Sequence, residues 1–193
     1  MPTQGKTFIV DDEFLSKINK LENIKCISQI LEDDAFLNYE GIQKVVHIKG
    51  VSESFNEQNK LDSVVKYGSS DLSSSQISKA IVGRGIQYEL GFALQDEFKA
   101  LDIWYPKRTR KHLSASEKSL NKIKVQPTGI FELERQYDAK YIFIPLKFAQ
   151  KLFEYTNERT SLEIKTSDGS IQDTKDKLRN ILGENFKVLD SDE

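Results

Sequence analysis

Apolar side chains recur along the chain with two different periods, and the switches between them delimit the elements. Phe14, Leu15, Ile18 and Leu21 fall at helical spacing behind Asp11 or Asp12, either of which can cap, so a helix is predicted over 11–21. Alternation and β-branched residues then predict strands over 24–31, 35–39 and 44–49, with turns at Gly41 and Gly50. The middle of the chain is less regular. A polar loop is expected over 52–60, a short strand over 64–67 and a Ser-rich turn over 71–75. Ile77, Ile81, Ile86 and Leu90 suggest a helix interrupted by Gly83 and Gly85 and stopped by Gly91. Leu101, Ile103 and Tyr105 alternate with charged residues in a strand over 98–105.

Residues 107–121 are basic, Ser-rich and nearly free of large apolar side chains, which predicts an exposed loop or protruding hairpin. Strands resume over 123–125, 128–131 and 141–144. Pro145 can open a helix over 147–155, because the first helical turn has no use for its missing N–H. A strand over 161–165 follows. Then comes a helix capped by Ser170, striped by Ile171, Thr174, Leu178 and Ile181 and ended by Gly183, and a last strand over 186–189. The pattern is α+β with two lobes. A mixed α/β lobe is expected from 1–51 and 126–193, and a β-rich inserted lobe from 52–125, with the exposed loop or hairpin at 106–122. No repeat of 20–50 residues is visible.

With 193 residues the chain can bury a core without staples. Its net charge of −2 carries no overall bias toward nucleic acid or acidic membranes, so any basic site is local. The single cysteine, Cys26, excludes an intrachain disulfide and a four-cysteine zinc site; it reads as a small buried residue in a strand. No apolar run reaches the ~20 residues of a membrane span, and Met1 to Val10 has neither the basic start nor the apolar stretch of a signal peptide. The opening residues read like the boundary of an excised piece.

Chemistry-bearing constellations are sparse. Gly83-Arg84-Gly85 lacks the further residues of a phosphate loop and fits a strand-to-helix turn that needs small residues. His47 and His112 are the only histidines, lie on different elements and lack metal-ligand spacing; His47 reads as a structural residue and His112 as a solvated one. Asp33 and Asp34 point to opposite faces of a strand, whereas Glu132, Glu134 and Asp138 could form a carboxylate cluster. No Gly-x-Ser-x-Gly elbow is present. These residues point to no catalytic group, cofactor or metal. The distinctive charge run is Tyr105, Pro106, Lys107, Arg108, Arg110 and Lys111, where Pro106 ends a strand and turns the chain outward. It has no adjoining stacking platform for nucleic acid, so protein docking is the functional reading.

The order of segments resembles the extracytoplasmic (periplasmic) core domain of MacB/LolC/LolE/FtsX-type ABC transporter permeases. Five stretches carry the resemblance: "FLSKINKLENIKCISQIL" from Phe14, "VVHIKGV" from Val45, "AIVGRGIQYELGFALQDEFKALDIWYP" from Ala80, "VQPTGIFELERQYDAKYIFIPLKFAQKLF" from Val125 and "SLEIKTSDGSIQDTKDKLRNILGENFKVL" from Ser161. They span nearly the whole chain, and each is a packing or turn motif. One departure is Gln95-Asp96, where the family has glycine-aspartate.

The resemblance implies a porter-like lobe with an insertion, and a parent protein anchored in the cell inner membrane with this domain on the periplasmic side. It implies a non-enzymatic role, with ATP hydrolysed by a separate ATP-binding cassette subunit or domain. The domain would transmit that movement to cargo, as in lipoprotein release or export. A partner permease copy and a periplasmic chaperone or outer-membrane component are the implied partners. The 106–122 segment sits where LolC-like permeases carry a chaperone-capturing hook. Two other readings stand beside this one: a freestanding α+β enzyme using the Glu132, Glu134, Asp138 carboxylates, and a soluble adaptor using the basic run.

Overall fold

The computed structural model describes residues 1–59, 61–73, 78–94, 100–108, 119–167 and 171–190. Its elements are β1 (Phe8–Ile9), α1 (Asp12–Asn19), β2 (Ile24–Tyr39), β3 (Ile42–Val51), α2 (Ser54–Asn59), α3 (Leu61–Val64), β4 (Val65–Gly68), β5 (Ser78–Gly83), α4 (Arg84–Leu90), β6 (Leu101–Pro106), β7 (Leu120–Phe131), α5 (Arg135–Asp138), β8 (Tyr141–Pro145), α6 (Leu146–Phe153), β9 (Glu158–Arg159), β10 (Ser161–Thr166) and α7 (Ile171–Leu182). The fold is α+β. Among the described residues no helix is long and apolar enough to cross a membrane.

The two longest strands make a hairpin that organises everything else. β2 and β3 pair antiparallel from Ile30↔Val51 to Tyr39↔Ile42, turning through Glu40 and Gly41, both at positive φ. From β3 the ladder continues through parallel β8, antiparallel β5 and parallel β7. β6 then pairs β7 on one side and Phe36–Asn38 of β2 on the other. The pairings therefore close on themselves through six strands: β2, β3, β8, β5, β7, β6 and back to β2. Among the described residues two further strands of this sheet hang outside the ring, β10 on the first half of β2 and β4 on the end of β7, and β1 pairs with β9 in a separate two-stranded sheet.

Alternation along each strand sends one set of side chains inward. Leu31, Leu37, Val46, Ile48, Ala80, Val82, Leu101, Ile103, Val125, Ile142 and Ile144 are all fully buried and form one cluster. The interior is a packed core rather than a channel. Each such Val, Leu or Ile side chain stabilises the fold by about 1.5–3 kcal/mol. Two helices plug the ring. β5 and β8 run antiparallel, so the helices that follow them, α4 and α6, leave at opposite ends. α4 contributes Ile86 and Leu90, and α6 contributes Ala149, Leu152 and Phe153. α6 lies so close to β3 that a Cβ on Gly50 would stand 2.2 Å from the Ala149 Cβ.

A second, smaller cluster covers part of the outer face, where Phe55 and Leu61 pack on Ile30, Val51, Ile81 and Phe131. Cross-chain closure is completed at the ends: Pro2 bridges Phe186, Lys187 N–H donates to Met1 O at 2.9 Å, and Thr3 N–H donates to Asn185 O at 2.9 Å.

Several predicted elements hold: the helix capped by Asp11, whose carboxylate accepts from Phe14 N at 2.8 Å, and those starting near Pro145 and Ile171. Others are corrected. The stretches 24–31 and 35–39 are one strand of 16 residues, and 123–125 and 128–131 are one strand of 12 residues. The expected loop over 52–60 contains α2, held because Phe55 is buried. The expected helix over 77–90 is a strand to Gly83 and a helix only from Arg84. Ala80, Ile81, Val82 and Gly83 are buried on both faces of β5, and such a run mimics helical spacing. The expected strand over 186–189 reduces to the single bridge at Phe186. Strands from 52–125 interleave in one sheet with strands from the outer thirds, β5 beside β8 and β6 beside β2. The Gln95-Asp96 turn, the later part of the 71–75 turn and the Ser170 cap lie outside the described residues.

Candidate functional site

The basic run leaves the ring at the β6–β7 hairpin. Tyr105 pairs with Asn121 and Pro106 with Leu120, and Lys107 N–H donates to Ser119 O at 2.9 Å, so the two arms are zipped to the hairpin's base. Arg110, Lys111 and His112 lie outside the described residues. The four residues that are described divide into anchors and outward-facing positions.

Tyr105 is an anchor. Its ring meets Phe153 edge-on at 4.7 Å, and its hydroxyl donates to Asp33 Oδ2 at 2.6 Å. Burial, followed by the hydrogen bond and charge of Asp33, raises the phenol well above its ordinary value, so it stays a donor. Asp33 also pairs with Lys6 from the N-terminal segment. Asp33 is reachable because β2 is unpaired along that edge between Ile30, which faces β10, and Phe36, which faces β6.

Arg108 is a second anchor. Its backbone N–H donates to Glu154 Oε2 at 2.9 Å, its Nη1 donates to Glu154 O at 3.4 Å, and its guanidinium lies 3.9 Å from the Tyr155 ring centre. Glu154 ends α6 at φ 56, a left-handed position where glycine is usual. Asn121 of the other arm donates to Leu152 O at 3.0 Å, satisfying another carbonyl at the helix end. The hairpin is thus bolted to the C-terminal end of α6. The Glu154-Tyr155 pair was missed by sequence reasoning, since a left-handed glutamate carries no local signal. Pro106 is exposed, and Lys107 is half-buried.

A separate polar cluster lies on the outer face of β2, β3 and β8. His47 Nδ1 is 2.7 Å from Asp34 Oδ1, Nε2 is 3.6 Å from Glu32 Oε2, and the ring packs on Tyr141 at 4.7 Å. Burial alone would lower the imidazole, but the two carboxylates outweigh it and raise it. The same contact holds Asp34 below its ordinary value, with Lys140 3.5 Å away helping. Glu32, which burial pushes up, is brought below its ordinary value by His47 and Lys49. Lys49 itself pairs with Glu163 at 2.7 Å. His47 lies in β3, as expected, with each ring nitrogen facing a carboxylate of β2.

The other sequence candidates are each engaged by a different partner. Glu132 stands 3.5 Å from Arg84, Glu134 accepts from Gln136 at 2.9 Å, and Asp138 accepts from Leu133 N at 2.8 Å. Each carboxylate is spent on a neighbour. Gly83 and Gly85 serve close approach: a Cβ on Gly83 would stand 2.2 Å from Asp138 O, and one on Gly85 2.9 Å from Ala139 Cα. Cys26 is in a strand but half-buried, with Sγ 3.6 Å from Ser54 O. Among the described residues no group of three His, Cys, Asp or Glu side chains could hold a metal ion.

No protein-family model matches the sequence, and no curated protein does. Solved structures do match, over nearly the whole chain. The extracellular domain of the noncanonic ABC-type transporter YknZ from Gram-positive bacteria aligns with a TM-score of 0.66 and 14% identity, covering 98% of this chain and 96% of that one. The periplasmic region of MacB from Actinobacillus actinomycetemcomitans aligns with a TM-score of 0.58 and 13% identity, covering 92% of this chain and 78% of that one. This chain therefore has the α+β fold seen in the extracellular and periplasmic domains of ABC-type transporters, as its order of segments led one to expect.

Proposed function

We propose that this chain is the extracytoplasmic domain of an ABC transporter permease and acts as a mechanical element rather than an enzyme. The observation that carries the reading is the bridge between Pro2 and Phe186, which brings the two ends of the fold together. A domain built this way can be inserted between two membrane spans with both connections leaving one spot. Its likeness in fold to the YknZ and MacB domains supports the same reading. In this reading ATP is hydrolysed by a separate ATP-binding cassette subunit. The closed ring with its plugged ends gives a stiff body that carries the movement outward, toward cargo in lipoprotein release or export. A second permease copy and a periplasmic chaperone or outer-membrane component are the expected partners, and the inner membrane is the expected location.

The docking surface in this proposal is the β6–β7 hairpin. Residues 107–124 hold seven basic side chains (Lys107, Arg108, Arg110, Lys111, Lys118, Lys122, Lys124) against one acidic side chain, Glu117, in a chain of net charge −2. That local excess suits an acidic partner surface. Tyr105 and Arg108 position the hairpin, and Lys107, Arg110 and Lys111 make the contact, with Pro106 at the exit. Alkaline phosphatase inserted within residues 109–118 of the full-length gene product should be active, and a green fluorescent protein there dark; the opposite result overturns the location. Charge reversal of Lys107, Arg110 and Lys111 should abolish transport while leaving membrane insertion intact. Unchanged transport overturns the docking role.

A further inference from the structure

β10 is an edge strand. Among the described residues its only strand neighbour is β2, with Ser161↔Ile30 to Lys165↔Cys26 in regular register and an irregularity only at Thr166. Natural proteins usually blunt such an edge with proline, a mid-strand bulge or charges turned into the pairing plane. β10 has no proline, and its irregularity is at the far end. Its two charges are turned back onto the protein: Glu163 accepts from Lys49 at 2.7 Å, and Lys165 Nζ donates to Glu57 O at 3.4 Å.

The direction of the free main-chain groups follows from β2. Gln29 N–H donates to Ser52 Oγ at 2.9 Å, and Gln29 O accepts from Ser52 N at 3.1 Å, so the peptide groups of Gln29 point away from β10. Gln29 faces Leu162, which makes this a non-hydrogen-bonded pair; the N–H and C=O of Leu162, and by alternation those of Ile164, point to the open edge. With its amide oriented to donate to Ser28 Oγ at 2.8 Å, Gln58 brings its oxygen 3.3 Å from Ile164 N. One side chain thus imitates, at one residue, the bond a further strand would make.

A groove of about 560 Å³ runs along this edge, and Ser161, Leu162, Glu163, Ile164 and Thr166 all line it. On one face Leu162 and Ile164, only half-buried, share the lining with Phe14 and Leu178, and the Lys175–Asp190 ion pair stands at its margin. On the other face the walls are charged, with Glu32, Lys49 and Glu163. The open edge of β4, at the other end of the sheet, has four residues and none of them lines such a groove.

We propose that the β10 edge is a docking site for an extended polypeptide segment of a partner protein, added to the sheet as a further strand. Main-chain bonds to Leu162, and to Ile164 once the added strand takes the place of the Gln58 oxygen, supply the affinity. The alternating walls select a segment with apolar residues at every second position, facing Leu178 and Phe14, and charged residues between them, facing Glu163 and Lys49. The groove is walled by α1 and α7 as well as by β10, so a second folded copy would bring its own α1 and α7 against these walls, whereas a single extended segment would not. This surface is separate from the basic hairpin and does not depend on its role.

The test uses a synthetic peptide of residues 160–167 of this chain. Paired antiparallel about Ile164, that peptide sets its own lysine against Glu163 and its own glutamate against Lys165. Titrated into the intact domain, it should slow amide exchange at Leu162 and Ile164 at least about tenfold and saturably. The same peptide N-methylated at alternate residues should fail, and Leu162→Glu, folded by circular dichroism, should bind at least about tenfold more weakly. No protection at millimolar peptide, or equal protection by the methylated peptide, overturns the proposal. Protection that rises with protein concentration without peptide, accompanied by a dimer in sedimentation, assigns the edge to a second copy and overturns the choice of partner.

Discussion

The Tyr105 hydroxyl donates to Asp33 Oδ2 at 2.6 Å, across the one stretch of β2 that has no strand on that edge. The bond fastens the strand that leads into the basic hairpin to the centre of the longest strand. Tyr105→Phe should keep the ring against Phe153 and lower unfolding stability by about 1.5–3 kcal/mol, the range for a hydrogen bond to a charged acceptor. Chemical denaturation of the two proteins measures it. Asp33→Asn should bring the phenol back toward its ordinary value, read by ultraviolet titration.

The cluster around His47 makes stability depend on pH in two directions. The imidazole is raised in the folded protein, so its contribution is complete below the unfolded value of about 6.5 and is lost as pH rises through the folded value. Glu32 and Asp34 are lowered, so their contribution is present above the unfolded values and lost as pH falls through the folded ones. The cluster contributes most between about pH 4.5 and 6.5. Thermal melts of His47→Gln should lie below wild type in that window and converge with it on the alkaline side. A constant offset at every pH would contradict this account.

Gly83 admits no side chain. Its missing Cβ is what lets Asp138 O approach, and the obstacle is backbone, which cannot rotate aside. Gly83→Ala should cost at least about 3 kcal/mol, at the top of the range for overpacking. Gly91, at φ 69 with nothing within 4 Å of a Cβ, provides a contrast: Gly91→Asn should cost much less because asparagine tolerates the left-handed region.

Arg108 and Tyr155 should be coupled. A double-mutant cycle with Arg108→Ala and Tyr155→Leu should return about 0.5–1 kcal/mol for the stacked pair. Proteolysis within 109–118 should quicken in each single variant, since both loosen the hairpin base. Additive effects would mean that the stack contributes nothing to anchoring.

Leu152 is buried in the face of α6 that plugs the ring, and Leu152→Ala should lower stability by about 2–5 kcal/mol. Guanidinium denaturation checks it, and a loss within the scatter of surface mutations would mean that α6 does not seal the ring.

Local chemistry was enough where it was decisive. The Asp11 cap, the Gly41 turn, the Pro145 helix start and the glycines at the strand-to-helix turn could all be read, because each depends on a backbone requirement met within a few residues. Glu32-Asp33-Asp34 misled. The three carboxylates divided the expected strands 24–31 and 35–39, yet one strand runs through them because Lys49, His47, Tyr105, Lys6 and Lys140 arrive from other elements. The basic run was visible as composition, but its division into anchors and outward positions was not, since Glu154 and Tyr155 lie some 46 residues away along the chain.

The sequence by itself determined the α+β character, the helices α1, α6 and α7 and the place of the hairpin, since hydrophobic period, capping and turn residues act over one or two turns of chain. Only the tertiary structure decided that β6 returns to β2 and closes the ring, that α4 and α6 plug its two ends, and that β10 keeps an open edge. Strand partners are chosen by which buried faces meet after the chain has folded back, and a strand's own residues do not say which neighbour that will be.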